Sequence, residues 1–207
     1  MYYVGKFIVW IYMHLAYRLR YKGRENIPKD TVAIYASNHR SFADPPLVGT
    51  GTRGKCVFMA KEELFKNKLF GGLIRMLGAF PVSRGNDGAN VIDVAVKKIE
   101  KNRNLIIFPE GTRSRDGKVR RGHSGAAVIA AKTGKPIIPV GVVYGDKLKF
   151  RTKLTVVYGK PIMPEEYCEI SDNPNPRQLV KLKNRYMDEI KSLVEGSPRP
   201  KEDAYHE

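Results

Sequence analysis

The sequence predicts one α/β domain, in which helices flank a mixed, largely parallel β-sheet. Short runs rich in β-branched and aromatic residues alternate with longer runs of helical periodicity, and this alternation is typical of α/β domains. The chain has 207 residues, of which 42% are hydrophobic. That length and composition suffice for one domain with a core and are too small for two large ones.

The first 27 residues predict an amphipathic helix that docks on a membrane surface. Its uncharged core, residues 7–17, is shorter than the roughly 20 apolar residues that a spanning helix needs. At helical spacing the segment carries an apolar stripe, which consists of Val4, Ile8, Ile11, Leu15 and Leu19. Flanking cations such as Lys6 and Arg18 are typical of helices that lie in the membrane surface, close to the headgroups. The alternative is a helix packed on the domain's own core.

Residues 28–195 then predict the elements of the α/β domain in order. The β-rich runs are residues 31–37, 56–60, 79–83, 105–109, 136–144 and 153–159. The helical runs are residues 61–78, 88–102, 124–134 and 176–196. Residues 196–207 have no pattern and predict a disordered tail. In sheets of this kind, sites gather in the loops at the carboxyl ends of strands.

The charge of the chain favours an anionic partner. The net charge is +16, from 37 Lys and Arg against 21 Asp and Glu. Such an excess is typical of proteins that bind nucleic acid, an acidic protein or a membrane with anionic headgroups. The cations form no known nucleic-acid-binding motif, so no nucleic acid partner is predicted. Cys56 and Cys168 lie far apart and without metal-ligand spacing, which predicts free thiols in a reducing compartment.

The first loop with candidate chemistry follows Ser37 and contains His39, Ser41 and Asp44. His39 and Asp44 are five residues apart, so their side chains can meet only if the chain turns between them. A carboxylate bound to Nδ1–H would fix the tautomer of the imidazole and leave Nε2 as a proton acceptor. The alternative is a helix start, in which Ser41 belongs to a capping box and Asp44 caps the helix ahead of Pro45.

The second such loop, residues 108–125, follows another strand that is predicted to be buried. Gly111 would let the backbone approach a ligand closely. Thr112 and Arg113 place a hydroxyl and a guanidinium beside it, and arginine suits bidentate contact with a phosphate. Glu110 needs an arginine or a turn to satisfy its carboxylate at the end of a buried strand. The alternative is a solvated basic loop.

Two further cations are weaker candidates. Lys61 and Arg84 each follow a short β-rich run, and a single cation of this kind is more often a surface charge. Three histidines have no comparable acidic partner and are interpreted as structural or exposed, namely His14, His123 and His206. The sequence has no metal-ligand cluster and no phosphate-binding loop of the nucleotide-binding type. It therefore predicts neither a metal nor a cofactor.

Four short motifs resemble those of the glycerolipid acyltransferases, and within them the bacterial 1-acyl-glycerol-3-phosphate acyltransferases. In the order of that family they are NHRSFAD at residues 38–44, GAFPVSR at 78–84, FPEGTRS at 108–114 and IPV at 138–140. A lysine at position 61 precedes the second motif, and KGRENIP at residues 22–28 is similar to the usual lead-in. One motif can arise by chance, whereas four in order are highly specific.

The resemblance implies a glycerolipid acyltransferase-like fold and an O-acyltransferase activity in phospholipid biosynthesis. An acyl chain from acyl-CoA or acyl carrier protein would pass to the sn-2 hydroxyl of lysophosphatidic acid, giving phosphatidic acid. His39 would be the general base and Asp44 would orient it. The implied substrate-binding residues are Lys61, Arg84, Glu110, Gly111, Thr112 and Arg113, of which Glu110 and Gly111 would shape the turn that aims Arg113.

The resemblance also bears on location and on rival functions. It implies an enzyme held at the cytoplasmic face of the cell membrane as a peripheral or monotopic protein, with an anionic membrane surface as a partner. Within the same class, the acceptor could be glycerol-3-phosphate or another lysolipid. From other classes, the chain could be a nucleic-acid-binding protein or a catalytically inactive membrane-binding module, and the intact pair of His39 and Asp44 argues against the second.

Overall fold

A computed structural model describes residues 1–82 and 88–197, which form a seven-stranded sheet with helices on both faces. The strands are β1 (Arg18–Lys22), β2 (Ile34–Ser37), β3 (Cys56–Lys61), β4 (Ala79–Val82), β5 (Asn104–Ile107), β6 (Ile137–Tyr144) and β7 (Lys153–Tyr158). The helices are α1 (Tyr2–Ala16), α2 (Asp44–Gly51), α3 (Lys68–Met76), α4 (Gly88–Glu100), α5 (Gly125–Thr133) and α6 (Pro176–Glu195). The predicted tail lies outside the described residues from position 198 onward.

The order of the strands confirms the mixed, largely parallel sheet that the sequence predicts. The strands lie side by side as β1-β7-β6-β2-β5-β3-β4. Five neighbouring strands, from β6 to β4, run parallel, while β7 is antiparallel to β6 and β1 is parallel to β7. The carboxyl ends of β2, β5 and β3 therefore share one edge of the sheet, and the loops that carry the candidate residues start there.

The core divides into two layers because side chains alternate between the faces of each strand. In β2, Ile34 and Ala36 belong to the cluster that α4, α5 and α6 cover, while Tyr35 belongs to the cluster beneath α1 and α2. Strand β6 is buried along its whole length. This fits a central strand of a parallel block that is covered on both faces.

Two elements differ from the sequence-based prediction. Residues 18–22 were expected in the amphipathic helix, but they form β1, an edge strand that pairs with β7. Leu19 is buried and Tyr21 is half-buried, while the three cations between and beside them are exposed, so this short run has the polar–apolar alternation of a half-buried strand, which the helical spacing of Leu19 concealed. The predicted helix 61–78 is interrupted at Asn67, whose side chain accepts hydrogen bonds from the backbone of Leu69 and Phe70. That cap starts α3 and separates it from a 3-10 helix at Glu62–Phe65.

Helix α1 packs on the domain through its inner side. Gly5, Met13 and Ala16 are buried, and the Lys6 ammonium donates to the backbone oxygens of Thr52 and Gly54 at 2.9 and 3.1 Å. Lys6 therefore anchors α1 to the domain, and a place for this cation near headgroups stays a prediction. Within the described residues, no helix is long and apolar enough to cross a membrane.

Candidate active site

The loop after β2 begins with an asparagine that extends the sheet by one position. The Asn38 amide donates to the Val142 oxygen at 3.0 Å and accepts from the Val142 N–H at 2.7 Å. The side chain therefore forms the pair of bonds that a backbone residue would form with β6. This fixes the residue that precedes His39.

His39 and Asp44 form a hydrogen-bonded pair at the carboxyl end of β2. The chain turns between them, and His39 Nδ1 lies 2.8 Å from Asp44 Oδ2. The neutral imidazole must carry its proton on Nδ1 to bind the carboxylate, which leaves the lone pair on Nε2. Nε2 has no hydrogen-bond partner within the described part of the chain. The pair can therefore accept a proton from a substrate and stabilise the imidazolium that results.

The buried Asp44 carboxylate holds the loop as well as the imidazole. Its Oδ2 also accepts from the backbone N–H groups of Arg40 and Ser41 at 2.6 and 2.7 Å. Asp44 is the first residue of α2, and Ala43 occupies the capping position without a side-chain cap. Asp44 is therefore not the N-cap that the alternative proposes, but its bond from the Ser41 N–H is the one that the predicted capping box requires. Ser41 Oγ instead accepts from the N–H of Ala43 at 3.1 Å.

Phe108 fixes the plane of the imidazole. Its ring stacks on His39 with 4.1 Å between ring centroids and 23° between planes. Phe108 follows β5 directly, next to β2 in the sheet, so the contact follows from the strand order. The His39 ring is thus held along one edge by Asp44 and on one face by Phe108, and 18% of its side chain is exposed.

Glu110 ties the two loops together through backbone groups. Its Oε1 accepts from the N–H of His39 at 2.9 Å, and its Oε2 accepts from the N–H of Arg120 at 3.0 Å. Burial raises the pKa of Glu110 above its ordinary value, although both N–H donors favour the carboxylate. The Ser114 N–H in turn donates to the His39 oxygen at 2.7 Å. Glu110 therefore positions His39, and both of its oxygens are already engaged within the protein.

Gly111 and Arg113 form the outer part of the site. Gly111 has a φ of +68°, and a Cβ there would lie 3.3 Å from the His123 ring, so glycine suits this turn. The Arg113 guanidinium lies over the Phe42 ring, 3.7 Å from its centroid. The side chains of Arg113 and Phe42 are both exposed. The structure thus brings Arg113 to the loop that carries His39, through a contact with an aromatic ring.

A second arginine, Arg40, holds the loop that carries His39 against the end of β6. Arg40 donates to the backbone oxygens of Tyr144 and Gly145 at 2.8 and 2.9 Å. Its guanidinium also lies 4.0 Å from the centroid of the Tyr144 ring. Burial, together with the charge of Asp44, raises the pKa of Tyr144 to about 12. Tyr144 therefore stays neutral beside the carboxylate.

The remaining predicted residues differ in their placement. Lys61 is the last residue of β3, at the same edge of the sheet as His39, and it is exposed. Thr112 is exposed between Gly111 and Arg113. Arg84 lies outside the described residues. The structure gathers five of the predicted residues into one site, namely His39, Asp44, Glu110, Gly111 and Arg113. Lys61 lies at the same edge of the sheet as that site but makes no contact that joins it to these residues in the described part of the chain.

Sequence reasoning missed the contacts of Phe42, Phe108 and Arg40. Two of them carry a signal: Phe42 and Phe108 are apolar residues directly inside the two polar loops. The sequence gives no sign of the Arg40 contacts. Its hydrogen-bond acceptors are backbone oxygens far along the chain, and Tyr144 is 104 residues away.

Comparisons with known proteins agree with this fold. The family model described as Acyltransferase matches residues 18–143. The 1-acyl-sn-glycerol-3-phosphate acyltransferase of Bacillus subtilis is 29% identical over 178 residues, which cover 83% of this chain and 87% of that protein. The protein of the same name from Streptococcus pneumoniae is 36% identical over 184 residues, and the match spans 84% of this chain and 66% of that protein.

A solved structure shares the architecture. It is the crystal structure of the 1-acyl-sn-glycerophosphate (LPA) acyltransferase PlsC from Thermotoga maritima, with a TM-score of 0.73 and 28% sequence identity. The superposition covers 94% of this chain and 78% of that chain. The likeness therefore extends over both faces of the sheet and includes segments outside the family match.

Proposed function

The chain belongs to the Acyltransferase family, and on that premise we propose that it acylates the sn-2 hydroxyl of 1-acyl-glycerol-3-phosphate to give phosphatidic acid. The observation that carries the proposal is the pair of His39 and Asp44, with Nδ1 bound to the carboxylate at 2.8 Å. The names of the relatives from Bacillus subtilis and Streptococcus pneumoniae support the choice of acceptor.

In the proposed reaction His39 is the general base. Nε2 takes the proton of the acceptor hydroxyl while the hydroxyl oxygen attacks the carbonyl carbon of an acyl thioester. A new C–O bond forms, the C–S bond breaks, and the thiolate leaves with the proton that the imidazolium returns. Asp44 stabilises the imidazolium between these steps. The acceptor is activated directly, so the reaction needs no acyl-enzyme.

The phosphate of the acceptor is proposed to bind Arg113, with Lys61 and Arg84 as further cationic contacts. Arg113 lies over Phe42, which belongs to the same loop as His39. A phosphate held there would place the acceptor hydroxyl near Nε2, and a fixed orientation of this kind lowers the barrier. Glu110 and Gly111 would shape the turn that presents Arg113, and the Gly111 N–H closes this turn on the Phe108 oxygen at 3.0 Å.

The acyl donor is proposed to be acyl-CoA or acyl carrier protein. Both are acidic, and the chain carries a net charge of +16, so electrostatic attraction favours either one. The alternative acceptors are glycerol-3-phosphate and another lysolipid.

The enzyme is proposed to act at the cytoplasmic face of the cell membrane, as a peripheral or monotopic protein that docks through α1. The outer side of that helix exposes Val4, Ile8 and Leu15, which agrees with an apolar stripe turned away from the core. An anionic membrane surface is the partner that fits both this stripe and the excess of cations.

One assay tests the proposed reaction. Purified protein is incubated with lysophosphatidate, glycerol-3-phosphate or a neutral lysolipid, and each acceptor is combined with acyl-CoA or acyl carrier protein. We expect phosphatidate from lysophosphatidate, and a much lower rate with the variant His39→Ala. Product from glycerol-3-phosphate alone would establish the alternative acceptor, and product at the wild-type rate with His39→Ala would exclude the mechanism.

A further inference from the structure

Two neighbouring helices on one face of the sheet leave large apolar side chains in solvent. On α1 these are Tyr3, Val4, Phe7, Ile8, Trp10, Ile11, Tyr12 and Leu15. On α3 these are Leu69, Phe70, Leu73 and Met76. Scattered apolar residues on a surface are ordinary, whereas a contiguous patch of this kind marks a site of interaction.

Contacts between the two helices make the patch continuous. Gly5 of α1 is buried against the end of α3, where a Cβ would lie 3.0 Å from Met76 Cε and 3.5 Å from Leu77 Cδ2. The two helices therefore approach each other closely at this glycine. Their outer sides adjoin, and we call the exposed apolar residues of α1 and α3 the platform.

Helix α3 contributes little to the core. Gly71 is its only buried residue, and a Cβ there would lie 2.9 Å from Phe65 Cα. The helix thus packs through a glycine, while Leu69 is 88% exposed. An amphipathic helix normally turns its apolar side to the core, so the apolar side of α3 is matched to a partner outside the domain.

Cations line the rim of the platform. A cleft of about 430 Å³ begins at Tyr3 of α1, and its basic residues are Lys29, Arg53, Lys55, Lys101 and Arg103. A second cleft begins at Arg75 of α3, and its basic residues are Arg75, Lys98, Lys101 and Arg103. Among the described residues, Asp30 is the one carboxylate that lines either cleft. An apolar surface with a basic rim complements acyl chains beneath anionic headgroups.

We propose that α3 inserts into an anionic phospholipid bilayer beside α1, and that the basic clefts at the rim contact lipid phosphates. This inference deepens the docking through α1 in the proposed function and rests on it. Two inserted helices, rather than one, would fix the rotation of the domain about the axis of α1. Helix α2, which begins with Asp44, contacts α1, so a fixed rotation also fixes how the catalytic loop meets the membrane.

A second copy of the chain fits the platform less well than a bilayer does. A two-fold contact brings the same surface of each copy together. The rim cations of one copy would then face those of the other, and repulsion between like charges opposes that contact. Anionic lipid headgroups reverse the sign of the interaction.

A matched pair of variants tests the inference by partition into vesicles of phosphatidylglycerol and phosphatidylcholine. Leu73 on α3 and Val180 on α6 are 48% and 46% exposed, but α6 lies on the other face of the sheet. We expect Leu73→Asp to lower the partition coefficient about tenfold, because one apolar side chain leaves the bilayer and a charge replaces it. Val180→Asp should leave partition unchanged. Equal partition of Leu73→Asp and wild type would overturn the inference.

Fluorescence gives a second readout that does not depend on a loss of binding. Trp10 is the only tryptophan of the chain. Brominated lipids should quench the wild type through α1, and they should quench the double variant Trp10→Phe, Leu73→Trp through α3. The control Trp10→Phe, Val180→Trp should not be quenched. Quenching of the wild type without quenching of the Leu73→Trp variant would confine docking to α1 and overturn the inference.

Three further measurements separate membrane insertion from self-association and from a failure of the proposed enzymatic function. Lys101→Gln, in one of the two cations common to both clefts, should weaken binding to anionic vesicles about fivefold and leave binding to neutral vesicles unchanged. Dimers that form without vesicles and disappear in Leu73→Asp would assign the platform to self-association and overturn the inference. Activity is measured on monomeric short-chain lysophosphatidate, so a wild type that binds vesicles but makes no phosphatidate would fail the proposed function while leaving the inference about α3 intact.

Discussion

The inner and outer parts of the site are built in different ways. In the inner part, Asp44 and Glu110 are buried, and together they accept five hydrogen bonds, from His39 Nδ1 and from four backbone N–H groups. In the outer part, Arg113 and Phe42 are exposed, and the contact between them is one cation–π interaction. The same two loops supply both parts.

This difference indicates a division of labour. A proton transfer requires the base to be placed within a fraction of an ångström, and buried hydrogen bonds provide that placement. In the proposed reaction, capture of a charged headgroup would require a cation that can reach its ligand, and the exposed Arg113 is suited to that role. Substitutions in the inner part should therefore reduce the turnover number, while substitutions in the outer part should raise the Michaelis constant for the acceptor.

The largest effect is expected from the variant His39→Ala. Loss of a general base typically lowers the rate about 10²–10⁴-fold, and the loss should appear in kcat. His39 is partly exposed and its backbone bonds remain, so the fold should persist, which circular dichroism would verify. The variant Asp44→Asn should also lower kcat severely, because its amide can bind the wrong tautomer of the imidazole. A well-folded His39→Ala protein with the wild-type kcat would abolish the distinction between the two parts.

The next effect is expected from Glu110→Gln, which alters the inner part without touching the imidazole. The glutamine oxygen can accept from one of the two backbone donors, His39 N–H or Arg120 N–H, while the amide group faces the other. A buried donor left without a partner costs about 1–3 kcal/mol, so the midpoint of thermal unfolding should fall and kcat should fall with it. A rise of the Michaelis constant at an unchanged kcat would place Glu110 in the outer part instead.

How much of this site was predictable from the sequence differs between its two parts. The pairing of His39 with Asp44 follows from the family motif, whereas their five-residue spacing alone left the helix-capping alternative open. The α/β class and the parallel block follow from alternation of local patterns. By contrast, the bond from the His39 N–H to Glu110 could not be predicted, because only the order of the strands brings these two residues together. The sequence predicted only that an arginine or a turn would satisfy the Glu110 carboxylate, as the backbone N–H of Arg120 in the same loop does. The stripe ending at Leu19 failed for a similar reason, since pairing with β7 outweighs helical periodicity there.

The outer part should respond more mildly, as the variant Arg113→Ala tests. Loss of one charge-assisted hydrogen bond costs about 1.5–3 kcal/mol, and we expect a matching rise in the Michaelis constant for lysophosphatidate. The Michaelis constant for the acyl donor should stay the same, and the Michaelis constant for a neutral lysolipid should rise less. Arg113→Lys serves as the control for charge without a planar guanidinium. If the Michaelis constant for the donor rises while that for the acceptor does not, Arg113 binds the donor.

The smallest effect is expected from Phe42→Leu, which removes the ring beneath Arg113. A cation–π contact at an exposed site is worth about 0.5–1 kcal/mol, so the Michaelis constant for lysophosphatidate should rise only about two- to fivefold at an unchanged kcat. Phe42→Tyr keeps an aromatic face and should behave as the wild type. Because Phe42 is exposed, its ring could instead touch lipid, and a double-mutant cycle with Arg113→Ala separates the two roles. If Phe42 acts through Arg113, the effect of Phe42→Leu disappears in the Arg113→Ala background. An effect of the same size in both backgrounds would show that the ring acts independently of the arginine.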